Sequence, residues 1–136
     1  MKITIYLLFI VFLLVSCSEP SCYEQSKDYV AQVKKLSSEF IDSANEFAGS
    51  SPLIQSSSHF SDMQDIRNQV NSLTVPECAQ IAHDKLISYM DFQTDGYMSF
   101  MSQAGDSIIN NNFENASRYF YSWEEEFSKI ATEPAQ

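Results

Sequence analysis

The chain has 136 residues, with 8 Lys and Arg against 18 Asp and Glu and a formal net charge of -10. That length suits one domain, and the acidic balance excludes a nucleic-acid binder, which needs clustered Lys and Arg. Hydrophobic residues make up 44% and promise a packed core, while 3 Gly and 4 Pro are too few for a turn-rich all-β chain, so helices are expected.

Met1 and Lys2 lead into an apolar run over residues 3–15 whose one polar member is Thr4. As a helix it would span roughly 20 Å, short of the ~30 Å hydrocarbon core of a bilayer. One basic residue, a short apolar run and then small residues describe a secretory signal rather than a spanning helix. The run closes on Leu14-Val15-Ser16-Cys17, which resembles the lipobox of bacterial lipoproteins. The resemblance covers residues 1–17 alone. It implies removal of residues 1–16, a diacylglyceryl group on the Cys17 thiol and acylation of the amine so exposed. Two or three acyl chains anchor stably where one is marginal. In Gram-negative members of that family an Asp after the Cys retains the protein at the inner membrane. Ser18 stands there in this chain and permits the outer membrane. The expected organisation is a signal peptide over 1–16, the lipidated Cys and a short tether over 17–22, a bundle over 23–131 and a tail over 132–136.

With Cys17 given to lipid, Cys22 and Cys78 are left, an even count in an exported chain. They are read as a disulfide rather than two buried thiols, worth roughly 4 kcal/mol in the chain-entropy model. A first helix is expected over 23–48, with Val30, Val33, Leu36, Phe40, Ala44 and Phe47 three or four apart. A polar loop over 49–58 follows, holding the apolar pair Leu53 and Ile54. Ser56, Ser57 and Ser58 offer caps for a second helix striped by Met63, Ile66, Val70 and Leu73. Thr74-Val75-Pro76-Glu77 matches a capping box and starts a third helix near Val75. One face of that helix is polar (Asp84, Ser88, Asp91, Asp95, Ser99, Ser102), and the other carries Ala82, Leu86, Tyr89, Met90, Tyr97, Phe100 and Met101. In the last helix Ile109, Phe113, Ala116, Phe120, Trp123, Phe127 and Ile130 alternate spacings of four and three, the pattern of a bundle seam. Two breaks compete before it, Gly105-Asp106 and a turn at Asn110, Asn111 and Asn112. The Asn turn is favoured because Ala104 and Ile108 continue the third helix's stripe. The fold class is therefore all-α, an up-down-up-down four-helix bundle with one disulfide. In that topology the starts of helices one and three share an end, which is where Cys22 and Cys78 sit.

Chemistry is sparse. No nucleophile elbow, Gly-rich loop, CxxC or Glu-x-x-His pair occurs, so no catalytic residue is assigned and the chain is read as a non-enzyme. His83 borders an apolar stripe and reads as a satisfied boundary histidine, and His59 as exposed. Met90, Met98 and Met101 suggest Cu(I), but 5 Met in the chain are ordinary core filler; no metal or cofactor is assigned. Glu124, Glu125 and Glu126 point in different directions and read as a solvated face that would repel anionic headgroups. Gln93, within an apolar stripe, needs a hydrogen-bond partner. Tyr89, Tyr97, Tyr119 and Tyr121 exceed what a bundle needs and could line a pocket or an exposed face.

The expected function is that of a lipid-anchored accessory module of the bacterial cell envelope, facing outward from the cytoplasm. Its expected partners are the bilayer, through acylated Cys17, and another envelope protein; Leu53 and Ile54 are read first as folding back over the bundle's open end, and alternatively as a candidate partner contact at the far tip. The alternative is a small-molecule or metal-binding helical module.

Overall fold

A computed structural model describes residues 21–49 and 53–133, apart from the side chains of 53–56. Cys17 and the expected signal peptide lie outside the described residues. Four α-helices and one 3-10 turn, with no strand among the described residues, build a helical bundle: α1 (Cys22–Gly49), α2 (Leu53–Asn71), a 3-10 turn (Glu77–Ala79), α3 (Gln80–Met101) and α4 (Asp106–Ala131).

Helix α1 begins at a cap its sequence supplies. The Ser21 hydroxyl accepts the Glu24 N–H at 3.3 Å, satisfying one of the donors a helix start leaves open. From there Ser26, Tyr29, Val30, Val33, Leu36, Ser37, Phe40, Ala44 and Phe47 turn inward at helical spacing. The expected α1 is met within one residue at each end. Helix α2 starts earlier than the serine triplet suggested, so Leu53 and Ile54 belong to its first turn and not to a loop. Three serines cost a helix only tenths of a kcal/mol each, too little to stop one anchored by buried Met63, Ile66 and Val70.

The capping box at Thr74 does not form. Pro76, with φ -59° and ψ 143°, caps the 3-10 turn without a side-chain hydrogen bond, and α3 begins only at Gln80. A residue preceding proline is steered away from helical angles, which keeps Val75 out of the helix. Cys78 sits within the 3-10 turn, and its sulfur bonds that of Cys22 across a sequence separation of 56, with the Cα atoms 6.0 Å apart.

The second correction concerns the start of α4. Asn110, Asn111 and Asn112 are helical, and the break falls over residues 102–105. There Gln103 takes φ 55°, its N–H donates to the Phe100 carbonyl at 3.1 Å, and the Ala104 N–H reaches back to the Ser99 carbonyl at 2.9 Å. That pair of bonds is a Schellman closure with Gln in the left-handed position that glycine normally holds. Gly105 then caps α4 in an extended conformation.

Side-chain pairs fix how the helices lie. Along α1 and α3 the partners advance together: Cys22 with Cys78, Tyr29 with His83, Phe40 with Tyr89, Phe47 with Tyr97. Between α3 and α4 they run in opposite senses, Tyr89 against Phe120 and Tyr97 against Phe113. Phe47 meets Phe60 where α1 gives way to α2. Val33, Phe40, Met63, Val70, Leu86 and Met90 form the fully enclosed centre. Gly96 lets α4 come close, since a Cβ there would lie 2.7 Å from the Phe113 ring. The Tyr97 hydroxyl crosses the core to donate to the Ala44 carbonyl at 2.9 Å, and the Arg67 guanidinium clamps α2 to α3 through both oxygens of Asp91, at 2.7 and 3.2 Å.

Candidate functional site

The disulfide end is closed and polar inside. Ser26 is fully buried, its hydroxyl 3.4 Å from the Cys22 sulfur and 3.6 Å from that of Cys78. One turn further in, the buried Tyr29 hydroxyl shares a 3.3 Å hydrogen bond with His83 Nδ1. Burial pushes the His83 imidazole below its ordinary 6.5, against a smaller upward pull from Asp84. Burial likewise raises the Tyr29 phenol well above its usual range. His83 is thus a satisfied core histidine. His59 is half-buried rather than exposed, with Nδ1 3.1 Å from Glu46.

The opposite end, where α3 turns into α4, is apolar and open. Met98, Phe100 and Ile108 are 46, 52 and 55% exposed. Phe100 was expected in the core; it stands half-exposed beside Tyr97 and Met101, which the same face keeps packed against the core. Helix α3 has 22 residues, so this tip lies roughly 33 Å from the disulfide. Leu53 and Ile54 stand in the first turn of α2, and their side chains lie outside the described residues.

Two grooves run between the ends. Between α2 and α3 a polar groove of about 340 Å³ is lined by Arg67, Asn68, Asp91, Asp95 and Met98 among others. Met98 therefore faces a different surface from Met101, which is half-buried against the core. Among the described residues no three His, Cys, Asp or Glu side chains converge as metal ligands do.

The second groove follows the seam between α1 and α4, where no ring pair bridges the two helices among the described residues. One stretch, of about 210 Å³, is lined by Ile41, Tyr89, Gln93, Ser117, Phe120 and Tyr121. A shallower depression of about 370 Å³ adjoins it at Ser117 and is lined by α4 alone, through Asn110, Phe113 and Glu114. Tyr89 is only 8% exposed, burial pushes its phenol up to about 12, and its hydroxyl makes no hydrogen bond to another described residue. Gln93 is half-buried at the groove, and its amide near the Tyr97 phenol offsets part of the upward push that burial gives that phenol.

The aromatic excess was visible in the sequence, and two of its four tyrosines, Tyr89 and Tyr121, line this groove. The other two do not: Tyr97 is locked in the core, and Tyr119 stacks on Phe92 under the Lys85 ammonium. Sequence reasoning missed the Arg67–Asp91 clamp, which pairs residues on two helices with no signal at either position. It also missed the Trp123 Nε1, buried without a partner among the described residues. Glu125 and Glu126 both pair with Lys129 on the surface of α4, at 3.5 and 2.8 Å. No described helix is long and apolar enough to cross a membrane. Comparison of the chain with protein-family models, curated proteins and solved structures finds no match in any of the three.

Proposed function

We propose that this chain is a bacterial envelope lipoprotein, anchored by acylated Cys17, whose up-down-up-down bundle presents its far tip to another envelope protein without catalysing a reaction. The observation that carries the proposal is the exposure of Phe100 and Ile108 on either side of the α3–α4 turn. Single exposed apolar residues are ordinary, but Phe100 in the last turn of α3 and Ile108 in the first turn of α4 flank one connection and give the tip apolar surface of the kind interfaces bury. The topology is supported by the side-chain pairs, which advance together between α1 and α3 and oppose each other between α3 and α4. With Cys22 at the start of α1 and Cys17 a few residues before it, the disulfide end would face the bilayer. Glu124, Glu125 and Glu126, toward the end of α4, would then hold the bundle off anionic headgroups.

A photo-crosslinking amino acid at position 108, and at position 81 near the other end as control, tests this in the native envelope. Position 108 should yield one dominant envelope-protein adduct that position 81 does not, and Phe100→Ser should abolish it while leaving the melting temperature unchanged. Equal labelling from both positions, or none, would overturn the interaction reading. The anchor is checked separately: Cys17→Ser should leave an unprocessed, unlipidated chain by intact mass.

A further inference from the structure

We propose that the groove between α1 and α4 is a binding site for a small organic cation of the alkylammonium class, caged by Tyr89, Phe120 and Tyr121. Tyr89 and Phe120 stand 5.1 Å apart at 60°, and Phe120 and Tyr121 5.8 Å apart at 70°. Three rings in different planes therefore wall one concavity, with Ile41 closing it from α1. Aromatic faces carry the negative end of a quadrupole, and rings set at angles around a hollow are the arrangement that receives an alkylated ammonium.

Charge points the same way. No Lys or Arg lines the groove or the depression beside it, Glu114 lines that depression, and the whole chain carries a net charge of -10. An anion would find no counter-charge there. A cation is drawn in by the field of the domain and settles on the ring faces. The Tyr89 hydroxyl offers a ligand a polar contact. It belongs to a side chain more than nine-tenths buried, it lines the groove, and it has no hydrogen-bond partner among the described residues. The hydroxyl is open to the groove's solvent, and a ligand carrying an N–H or hydroxyl beside its cationic head can take the place of water there. Gln93 and Ser117 add neutral polar contacts at the same level.

The test uses the purified full-length chain, with choline as the probe and its neutral carbon isostere 3,3-dimethylbutan-1-ol as the comparison. Trp123, the chain's only Trp, lies 5.6 Å from the Phe120 ring and reports occupancy by fluorescence, with calorimetry as a second readout. Choline should bind saturably and about tenfold more tightly than the isostere, the margin a partly desolvated cation–π contact supplies. Tyr121 is 69% exposed, so Tyr121→Ala should leave the unfolding midpoint in place while weakening choline about tenfold, and Tyr121→Phe should restore it. Equal affinity for the two probes, binding indifferent to Tyr121→Ala, or no saturable binding of choline would each overturn the assignment.

Discussion

Helix α4 carries one uninterrupted seam, yet its two halves meet different surroundings. At the disulfide end Trp123, Phe127 and Ile130 are buried, while toward the tip Ile109, Phe113 and Phe120 stay half-exposed, with only Ala116 enclosed between them. The spacing of the seven residues is the same throughout, so the difference does not come from α4. It comes from what stands opposite. Near Cys22 and Cys78 the start of α1 is tied to α3 and closes over α4's last turns. Further along, α1 and α4 part, and the aromatic seam becomes the floor and wall of a groove. A periodic stripe specifies which face of a helix seeks cover; the cover itself is set by the neighbouring helices.

The largest test of that contrast is to cut the tie. Reducing the Cys22–Cys78 bond, or replacing both residues with Ser, should cost roughly 4 kcal/mol in urea unfolding, the chain-entropy value for a loop of 56 residues. A loss under about 1 kcal/mol would mean that packing around Ser26 and Tyr29 closes this end unaided. Truncation compares the two halves directly. Phe127→Ala removes a buried ring and should cost about 3 kcal/mol or more, whereas Phe113→Ala, at the groove, should cost about half as much. Equal costs would show that both halves are equally packed and would dissolve the comparison.

Acid should loosen the closed end. In the unfolded chain His83 titrates near 6.5; in the folded one burial holds it lower, so between the two values the unfolded state binds the extra proton. Stability is therefore full above 6.5 and falls as pH drops through and below it, by up to about 1.4 kcal/mol per pH unit until the folded-state pKa is reached. His83→Gln keeps a partner for the Tyr29 hydroxyl and removes the titration. The gap in unfolding free energy between wild type and this variant should shift between about pH 7.5 and 5, with the wild type losing more. A gap that stays constant would mean that His83 is protonated alike in both states.

Much of this molecule is legible from residue spacing, and the exceptions share a cause. The α1 register, the pairing of Cys22 with Cys78 and the α4 seam each follow from positions three and four apart or from an even cysteine count. The start of α3 misled because Thr74 and Glu77 match a capping box while Pro76 between them forbids Val75 a helical conformation. Phe100 sits on an apolar stripe and is read as core, yet it is half-exposed while its neighbour Met101 packs inward, because a stripe does not fix where its covered width ends. The groove is set by the separation of α1 from α4, a distance that neither helix encodes alone. Tyr89 and Tyr121 are visible as surplus aromatics, but that they converge with Phe120 is a tertiary fact.

The smallest expected effect concerns the turn that separates α3 from α4. Ala104 and Ile108 extend the α3 stripe across the break, and an Asn triplet further on imitates a turn, so nothing local marks residues 102–105 except Gly105. The chain stops α3 there by placing Gln103 at φ 55°, a conformation that costs a residue with a Cβ roughly 1 kcal/mol or more and glycine almost nothing. The two reaching-back bonds, from Gln103 to Phe100 and from Ala104 to Ser99, recover the carbonyls that α3 would otherwise leave open. Gln103→Gly keeps both bonds and removes the Cβ penalty, against a loss from the greater freedom of glycine in the unfolded chain. The net gain should be about 0.5–1 kcal/mol by urea unfolding, with Ile108 and Phe100 as exposed as before. A destabilised variant would show that Gln103 contributes contacts of its own at the tip, and would make that side chain part of the surface that the α3–α4 turn presents.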